Sequence, residues 1–548
     1  MDLNAYYWQI LVPANVAVSA LRRAGLPVDL VRLRATRAVW QARLKDLESF
    51  VEGEAAKVGV SLHYSSVHST SPKAMQALLY QGLGLPVRKR TAPTKTFPDG
   101  QPSTDDEALI DYGSVAVPRA GDHPVVSAML KIRSLAKGIG TYLNAFEREC
   151  RSDGCVHPHF KWNLRTPRLA AENPPVHQIP EKSDKEVADG IKSCFVPRQS
   201  PAPTPEEWDP RIHGSCVRWD ISGAEAAIRA AMLTHRFCSR PDPVAYDYIR
   251  LGKDIHSKTA SLIYRKPEGT YTKGMYERDA VGKQAFFAKI YGANWRTVQS
   301  TILTRSRIRL SDAEAQKISS AFDAGYSGLT ELYEWDKRFI GDHGYCEDGY
   351  GRRRWIGLPD QCRYAGITGS GLTLWDVAGR IAPNRDDLPR DDRLRRTLWG
   401  QLEHAFHMAA NSPTQGMSAT DTLWMLALLY HGEYVDLAVP PMWADRGVLY
   451  PEAAGWKLHE GPGPRGKPFL AWHTNTVHDS AWPDCAPGYL EPLMKVLVRR
   501  CTAVPFDWRL EADVPYRIDI QAGPDFGNLE DYNIVAARFG LEPMPRLT

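Results

Sequence analysis

Two strand-like runs, residues 216–220 and 474–478, each end at or beside an aspartate, and Asp220 lies 259 positions before Asp479. Aspartates at the ends of neighbouring strands are what a two-metal phosphoryl-transfer site requires, because both must reach hard cations roughly 4 Å apart through oxygen. A lone strand-terminal aspartate is more simply a turn former or a helix cap. A pair this far apart points to a site only if a third element joins it.

That third element is the run from Glu277 to Gly292, ERDAVGKQAFFAKIYG. On a helix Lys283, Phe287 and Tyr291 fall at i, i+4 and i+8, so a cation, an aromatic face and a phenol share one stripe. A nucleoside triphosphate offers phosphates, a base and a sugar along a comparable length. Alone, such a helix reads as an aromatic core stripe with one solvated lysine. Beyond Asp220, the spacing of Ala227, Ile228, Ala231 and Met232 predicts a helix with Glu225 at its start.

The remaining chain supplies a scaffold. Apolar spacing over residues 12–56 predicts two helices broken at Gly25-Leu26-Pro27. Residues 72–80 read as a helix, followed by a Gly/Pro-punctuated loop that carries Arg88, Lys89, Arg90 and Lys95 and reads as mobile. After Pro124 another helix sets Arg133 and Lys137 one turn apart on one face. Residues 154–180 read as short extended pieces broken by prolines, and 251–339 as mostly helical. Residues 380–396 and 435–466, rich in charge, Pro and Gly, read as surface insertions. Cys150, Cys155, His157 and His159 are four potential zinc ligands, but their C-x4-C-x-H-x-H spacing matches no common structural zinc pattern, and a plain strand is the reading.

Composition bounds the class. With 548 residues, 43% hydrophobic and 24% charged, the chain is an ordinary globular one of about three to four domains or subdomains. The net charge of +4 permits a nucleic-acid partner without indicating one. Nine cysteines without a CxxC pair suit a reducing compartment. No run approaches the roughly 18 apolar residues of a membrane span and the start lacks a leader pattern, so a cytoplasmic protein without membrane contact is expected.

Taken in order, the motifs resemble the polymerase region of the family A DNA polymerases, the bacterial DNA polymerase I group. Asp220 to Glu225 is similar to motif A, Lys283 to Gly292 to motif B, and Val477 to Ser480 to motif C. Thr166 to Leu169 with Pro174 to Pro180 resembles the TGRL and PNLQNIP stretch. Asp254-Ile255-His256 resembles the family's DIH, Gly351 to Arg354 with Leu358-Pro359 its GRR-LP hairpin, and Asn411 with Gln415-Gly416 its N-x3-QG helix.

The resemblance implies an α+β right-hand polymerase fold with thumb, a mostly antiparallel palm, and helical fingers. It divides the chain into a helical scaffold (1–45), thumb (46–153), palm (154–235), fingers (236–375) and a second palm segment with insertions (376–548). It implies template-directed addition of dNTPs to a primer 3′ end, with two Mg²⁺, or Mn²⁺, held by Asp220, Asp479 and the Ile221 carbonyl. Lys283 would act in catalysis and, with His256 and Arg278, would grip the triphosphate. Phe287 and Tyr291 would pack on the incoming nucleotide, and Glu225 would exclude ribose. Arg168, Asn411, Gln415 and His478 would contact the primer–template, with Arg133 and Lys137 on its backbone.

Three departures carry consequences. Ser480 stands where motif C has glutamate, so weaker or altered metal preference is expected. Asp279 stands one turn before Lys283, where the family has arginine; a bulge or a non-helical start that re-aims Arg278, or replacement by another cation such as Lys273, would answer this. Pro175, His177 and Gln178 replace the usual Asn, Gln and Asn. Only about 40 residues precede the first thumb-like helix, so a 3′–5′ exonuclease is not expected in this chain. A monomer is expected, with any exonuclease, helicase or clamp as a separate partner. The alternatives are a single-subunit RNA polymerase, which shares an HDS motif C, and a silent nucleic-acid-binding protein.

Overall fold

The structure, a computed structural model, describes residues 7–65, 70–94, 96–115, 121–162, 168–180, 184–233, 243–355, 373–381, 392–431, 471–477, 480–501, 514 and 517–544. Its first half is helical. Val12–Ala24 and Leu30–Lys57 are helices parted at the Gly-Leu-Pro break, where Leu26–Pro27 (β1) pairs antiparallel with Cys155–Val156 (β2). Asp29 caps the second helix by accepting from the Arg32 N–H. That helix buries Leu33, Trp40, Leu44, Val51 and Ala55 and packs on the helix Pro124–Lys137. The latter buries Lys131, whose ammonium lies 2.8 Å from Asp184 and 3.0 Å from Glu186, and Ser134 donates to the same aspartate. Burying a lysine is tolerable only with such partners.

The loop expected to be mobile is tied down. Lys89 donates to Asp105 at 2.8 Å and to Glu107 at 2.5 Å, Arg90 to the Gly100 carbonyl at 3.1 Å, and Arg88 to the Tyr112 hydroxyl. Its cations are satisfied within the lobe; Lys95 lies outside the described residues. Of the two stretches read as insertions, 380–396 begins at the end of the helix Leu374–Ile381 and finishes inside the helix Arg393–His431. Residues 382–391 between them lie outside the described residues. Residues 435–466 lie outside the described set.

His159–Lys161 (β3) pairs with Ala170–Glu172 (β4). The main sheet contains Ser215–Ile221 (β5), Ala471–Val477 (β8), Ser480–Cys485 (β9), Ile518–Gly523 (β10) and Glu530–Asp531 (β11). A small hairpin of Tyr345–Glu347 (β6) and Arg353–Trp355 (β7) lies apart from it. The order is β11–β10–β5–β9–β8, antiparallel throughout. On β5 the period of two is plain: Val217, Trp219 and Ile221 are buried, while Arg218 and Asp220 are half-buried on the other face. Register carries the pattern across, since Ile520 faces Trp219 and Ile518 faces Ile221, while Asp519 faces Asp220 and Gln521 faces Arg218.

Between β5 and β8 the chain leaves the sheet as helices. Ala224–Met232, Ile255–Tyr264, a π-turn Glu277–Gly282 running into Lys283–Lys289, Trp295–Ser306, Asp312–Gly325 and Ser327–His343 follow in order. Part of this unit has its own core, including Ile263, Val281, Ala285, Val298, Ile302 and Ile318. The 39-residue helix Arg393–His431 packs against Ser327–His343, Ala224–Met232 and Val12–Ala24. Among the described residues, no helix is long and apolar enough to cross a membrane.

Candidate active site

A cleft of about 1290 Å³ lies over the sheet, and eight of the residues singled out from sequence line it: Arg168, Asp220, Glu225, Lys283, Phe287, Tyr291, Asn411 and Gln415. Its floor is the polar face of β5. Asp220 sits opposite Ser480 on one side and the exposed Asp519 on the other. The Ser222 N–H bonds to the Arg517 carbonyl at 2.8 Å, which makes Ile221–Ile518 the non-bonded pair of that ladder. The Ile221 carbonyl is thereby turned toward the β9 side, where that strand begins only at Ser480. The Ser480 hydroxyl donates to the Val477 carbonyl at 2.8 Å and so fastens the strand ends. His478 and Asp479 lie outside the described residues.

The facing wall is the helix Lys283–Lys289 with Tyr291 just beyond it, and Lys283, Phe287 and Tyr291 form the expected stripe along the cleft. The turn before it is π-helical. With i→i+5 bonding, residues five apart stand one above the other, so Arg278 lies a turn before Lys283 although the spacing in sequence is one residue too long for an α-helix. The turn is thus a bulge, but it does not carry Arg278 into the cleft. The Arg278 guanidinium is held by Asp254 at 2.7 Å and by Asp279, and it is not part of the cleft lining. Burial works against the Asp254 carboxylate, but Arg278 and the Ser257 N–H outweigh it and keep its pKa below the usual range. Gly282 permits the close packing of the π-turn on the helix Ile255–Tyr264, since a Cβ there would lie 2.9 Å from the His256 carbonyl oxygen and 3.0 Å from the Ala260 nitrogen. Gly292, at φ +76°, ends the wall where a Cβ would overlap the Tyr333 ring.

His256 packs its ring 5.4 Å from Phe286 and 5.2 Å from Phe287, behind the wall. Burial, and then the charges of Lys283 and Arg278, push its pKa down to about 4, so it is neutral at neutral pH. At the opposite corner, Arg168 donates through Nη2 to Glu225 Oε1 at 3.3 Å, with each side chain about one-fifth exposed. Arg133 donates to Asp106 and to the Thr104 carbonyl, both at 2.8 Å, and Lys137 is exposed; neither lines the cleft.

Sequence reasoning passed over Arg218, Asp519, His407, Arg305, Arg307 and the threonines 297, 301 and 304. All except Asp519 line the cleft. Arg218 was signalled by its place two residues before Asp220 on one strand face, and Thr297 and Thr301 by their i, i+4 spacing. The other candidate metal set resolves otherwise: His157 lies 2.7 Å from the Arg22 carbonyl and 2.9 Å from Asp153. Among the described residues, no group of three or more His, Cys, Asp or Glu side chains converges as a metal set.

A sheet interrupted by a large helical excursion, with the polar strand face and the lysine-aromatic helix meeting across one cleft, is the architecture of a right-hand polymerase. The fold is similar to that of the polymerase domain of Pol1 from M. smegmatis, solved in complex with DNA primer-template and dNTP, with a TM-score of 0.63 and 20% identity over 94% of this chain and 70% of that one. The family model described as DNA polymerase family A matches residues 33–434, and the chain belongs to that family. It is 26% identical to DNA polymerase I of Deinococcus radiodurans over 360 residues, 65% of this chain and 32% of the relative. It is 26% identical to DNA polymerase I of Synechocystis over 423 residues, 76% and 36%, and 24% identical to the DNA polymerase of Escherichia phage T5 over 375 residues, 64% and 39%. The chain spans about a third of the length of these curated relatives.

Proposed function

We propose that the chain is a template-directed DNA polymerase that extends a primer 3′ end with dNTPs and releases pyrophosphate. The observation that carries this reading is the meeting of Asp220 and Glu225, on and just beyond one strand end, with the Lys283–Phe287–Tyr291 stripe in a single cleft. The assignment of thumb to residues 46–153, palm to 154–235 and 376–548, and fingers to 236–375 belongs to the same proposal, as does the cytoplasm of a bacterium or phage-infected cell as its location.

Asp220, the Ile221 carbonyl and Asp519 are hard oxygen donors on one strand-end corner, a chemistry suited to Mg²⁺ or Mn²⁺ and unsuited to softer metals. Asp220 and Ile221, with Asp479 of motif C, would hold two such ions. When bound, they would supply Lewis acidity toward the primer hydroxyl and the α-phosphate. The protein's own part is positional. Lys283 neutralises triphosphate charge, Phe287 and Tyr291 hold the base and sugar, and Glu225 occupies the space a 2′-hydroxyl would need. Neutral His256 lies behind Phe287 and outside the cleft lining, so its part is to support the wall rather than to meet the triphosphate. Asn411, Gln415 and Arg168 face the minor groove, whose acceptors are shared by all base pairs and so report geometry rather than sequence.

The test is primer extension on a DNA template with Mg²⁺, comparing dNTPs with NTPs, for the wild type and for Glu225→Ala. Extension with dNTPs that relaxes toward NTPs in Glu225→Ala supports the reading. Preferential NTP use by the wild type would move the chain to the RNA polymerase reading, and no synthesis from either would leave a silent binding protein.

A further inference from the structure

We propose that Asp111 and Arg309 form a clasp that joins the first helical lobe to the helical excursion at the edge of the cleft, closing a ring of protein that retains the nucleic acid inside. The inference rests on the polymerase reading above and concerns release of DNA, not chemistry. Its basis is a bond between residues 198 positions apart, in which Arg309 Nε and Nη2 lie 2.8 and 2.6 Å from the same oxygen, Asp111 Oδ2. Both lobes line the cleft close by, with Ser114 and Val115 from one and Arg305, Ser306 and Arg307 from the other. Asp111 comes three residues before Ser114 and Arg309 two after Arg307, so the pair stands where the lobes meet beside the cleft.

Each half of the clasp is held in place. On the first lobe, Arg88 Nε lies 3.9 Å from the same Asp111 oxygen and donates to the hydroxyl of the adjoining Tyr112 at 3.1 Å. On the excursion, Arg309 sits in the short connection between the helices Trp295–Ser306 and Asp312–Gly325. The Arg307 N–H closes the first helix onto the Leu303 carbonyl at 2.9 Å, the Ser311 side chain caps the second, and Gln299 donates to the Leu310 carbonyl at 2.8 Å. A connection pinned at both ends aims its arginine, so less ordering is lost when the bond forms. The other joints of the ring are firmer. Arg32, on the helix Leu30–Lys57, meets the buried Asp525 just past β10 at 2.7 Å, and the buried Arg229–Asp336 pair ties the helix after β5 to the excursion. Breaking a buried pair is costly, whereas Arg309 is 48% exposed and Asp111 18%, so water replaces their bond at little cost. The clasp is therefore the joint that parts first to admit a strand from the side, and it closes again once the strand lies on the floor.

The experiment uses the full chain on primer–template DNA and measures single-nucleotide dNTP insertion with protein in excess, together with the rate of release into a DNA trap. The variants are Asp111→Asn, Arg309→Gln and the two combined. A clasp predicts unchanged insertion and release about two- to fivefold faster in each single variant, with the double variant no faster than either, because both remove the same bond. Direct contact of Arg309 with phosphates predicts the opposite sign at one position: Asp111→Asn, which removes a negative charge beside a polyanion, would then slow release. Ring closure is read separately with Asp111→Cys/Arg309→Cys, bridged after loading by a short bis-maleimide. The bridged protein should stay on closed circular primed DNA through a high-salt wash and slide from linear DNA, while protein carrying either cysteine alone, treated alike, washes off both. Unchanged or slower release in Asp111→Asn, or loss of the bridged protein from circles as fast as from linear DNA, would overturn the inference. A wild type that inserts no dNTP while release and retention behave as stated would sink the polymerase reading and leave the clasp, which separates the two.

Discussion

At the scale of single residues, His256 shows how neighbours reset a side chain. Its usual pKa of 6.5 falls to about 4 through burial and the two cations on the adjoining π-turn and helix. A histidine whose pKa is lower folded than unfolded takes up its proton chiefly on unfolding. Its contribution is therefore fully present above about 6.5 and is lost as pH falls toward about 4. His256→Phe keeps the ring contacts with Phe286 and Phe287 but cannot titrate, so urea midpoints of this variant should fall less between pH 7 and pH 5 than those of the wild type. How visible such residues are in sequence depends on where their partners lie. Asp220 and the Lys283 stripe follow from strand and helix periods and are readable directly. Arg168 was reachable only through family likeness, because its partner Glu225 is 57 positions away. The pairing of Lys89 with Asp105 and Glu107 was hidden for the same reason: a charge run looks solvated until the fold brings opposite charge to it.

At the scale of elements, the π-turn Glu277–Gly282 is what lets a sequence with one residue too many keep Arg278 a turn before Lys283. No propensity in ERDAVG announces a π-turn, and only the mismatch of spacing hinted at it. Deleting Ala280 is expected to convert this turn to α-helix and to leave KM for dNTP within a few-fold of wild type. Deleting Ala285, inside the helix that follows, rotates Phe287 and Tyr291 away from the cleft and should abolish extension. Steady-state kinetics and circular dichroism on both variants check this. A second element-level joint is the ion pair of Arg229 and Asp336, 2.7 Å apart with side chains 0% and 1% exposed, which ties the helix Ala224–Met232 to Ser327–His343. Among the described residues, Arg229 Nε and Nη2 find no hydrogen-bond partner. Asp336→Ala leaves a buried guanidinium uncompensated and should cost about 3–5 kcal/mol, whereas Arg229→Met combined with Asp336→Leu should recover most of that loss in denaturant unfolding.

At the scale of the whole molecule, a net charge of +4 must serve a cleft proposed to take a polyanion. Many of the cations expected along the duplex path are already engaged within the protein, as the Arg133 bonds to Asp106 and Thr104 show, while Lys137 is exposed one turn on. Lys137→Ala should therefore weaken primer–template binding and reduce the slope of log Kobs against log salt by about one, as for one lost phosphate contact. Arg133→Ala should leave that slope unchanged and lower Tm. Fluorescence anisotropy at several salt concentrations, with thermal unfolding in parallel, separates the two. The antiparallel sheet and the helical excursion from it were expected from the motif order, and the fold agrees. The separate small core of the helical unit, centred on Ile263, Val281, Val298 and Ile302, was not readable, since nothing in a helical period says which helices it will meet.

The central claim is that the strand-end carboxylate on the cleft floor is essential for template-directed synthesis from dNTPs. The most direct measurement is single-turnover insertion of one correct dNTP into a primer–template in Mg²⁺ by the wild type and by Asp220→Asn, with DNA affinity measured on the same samples. The account predicts a loss of at least about 10³-fold in the insertion rate with primer–template Kd changed no more than a few-fold, because the carboxylate proposed to hold metal is removed while the cleft is kept. An Asp220→Asn protein that binds DNA normally and inserts at the wild-type rate would contradict it.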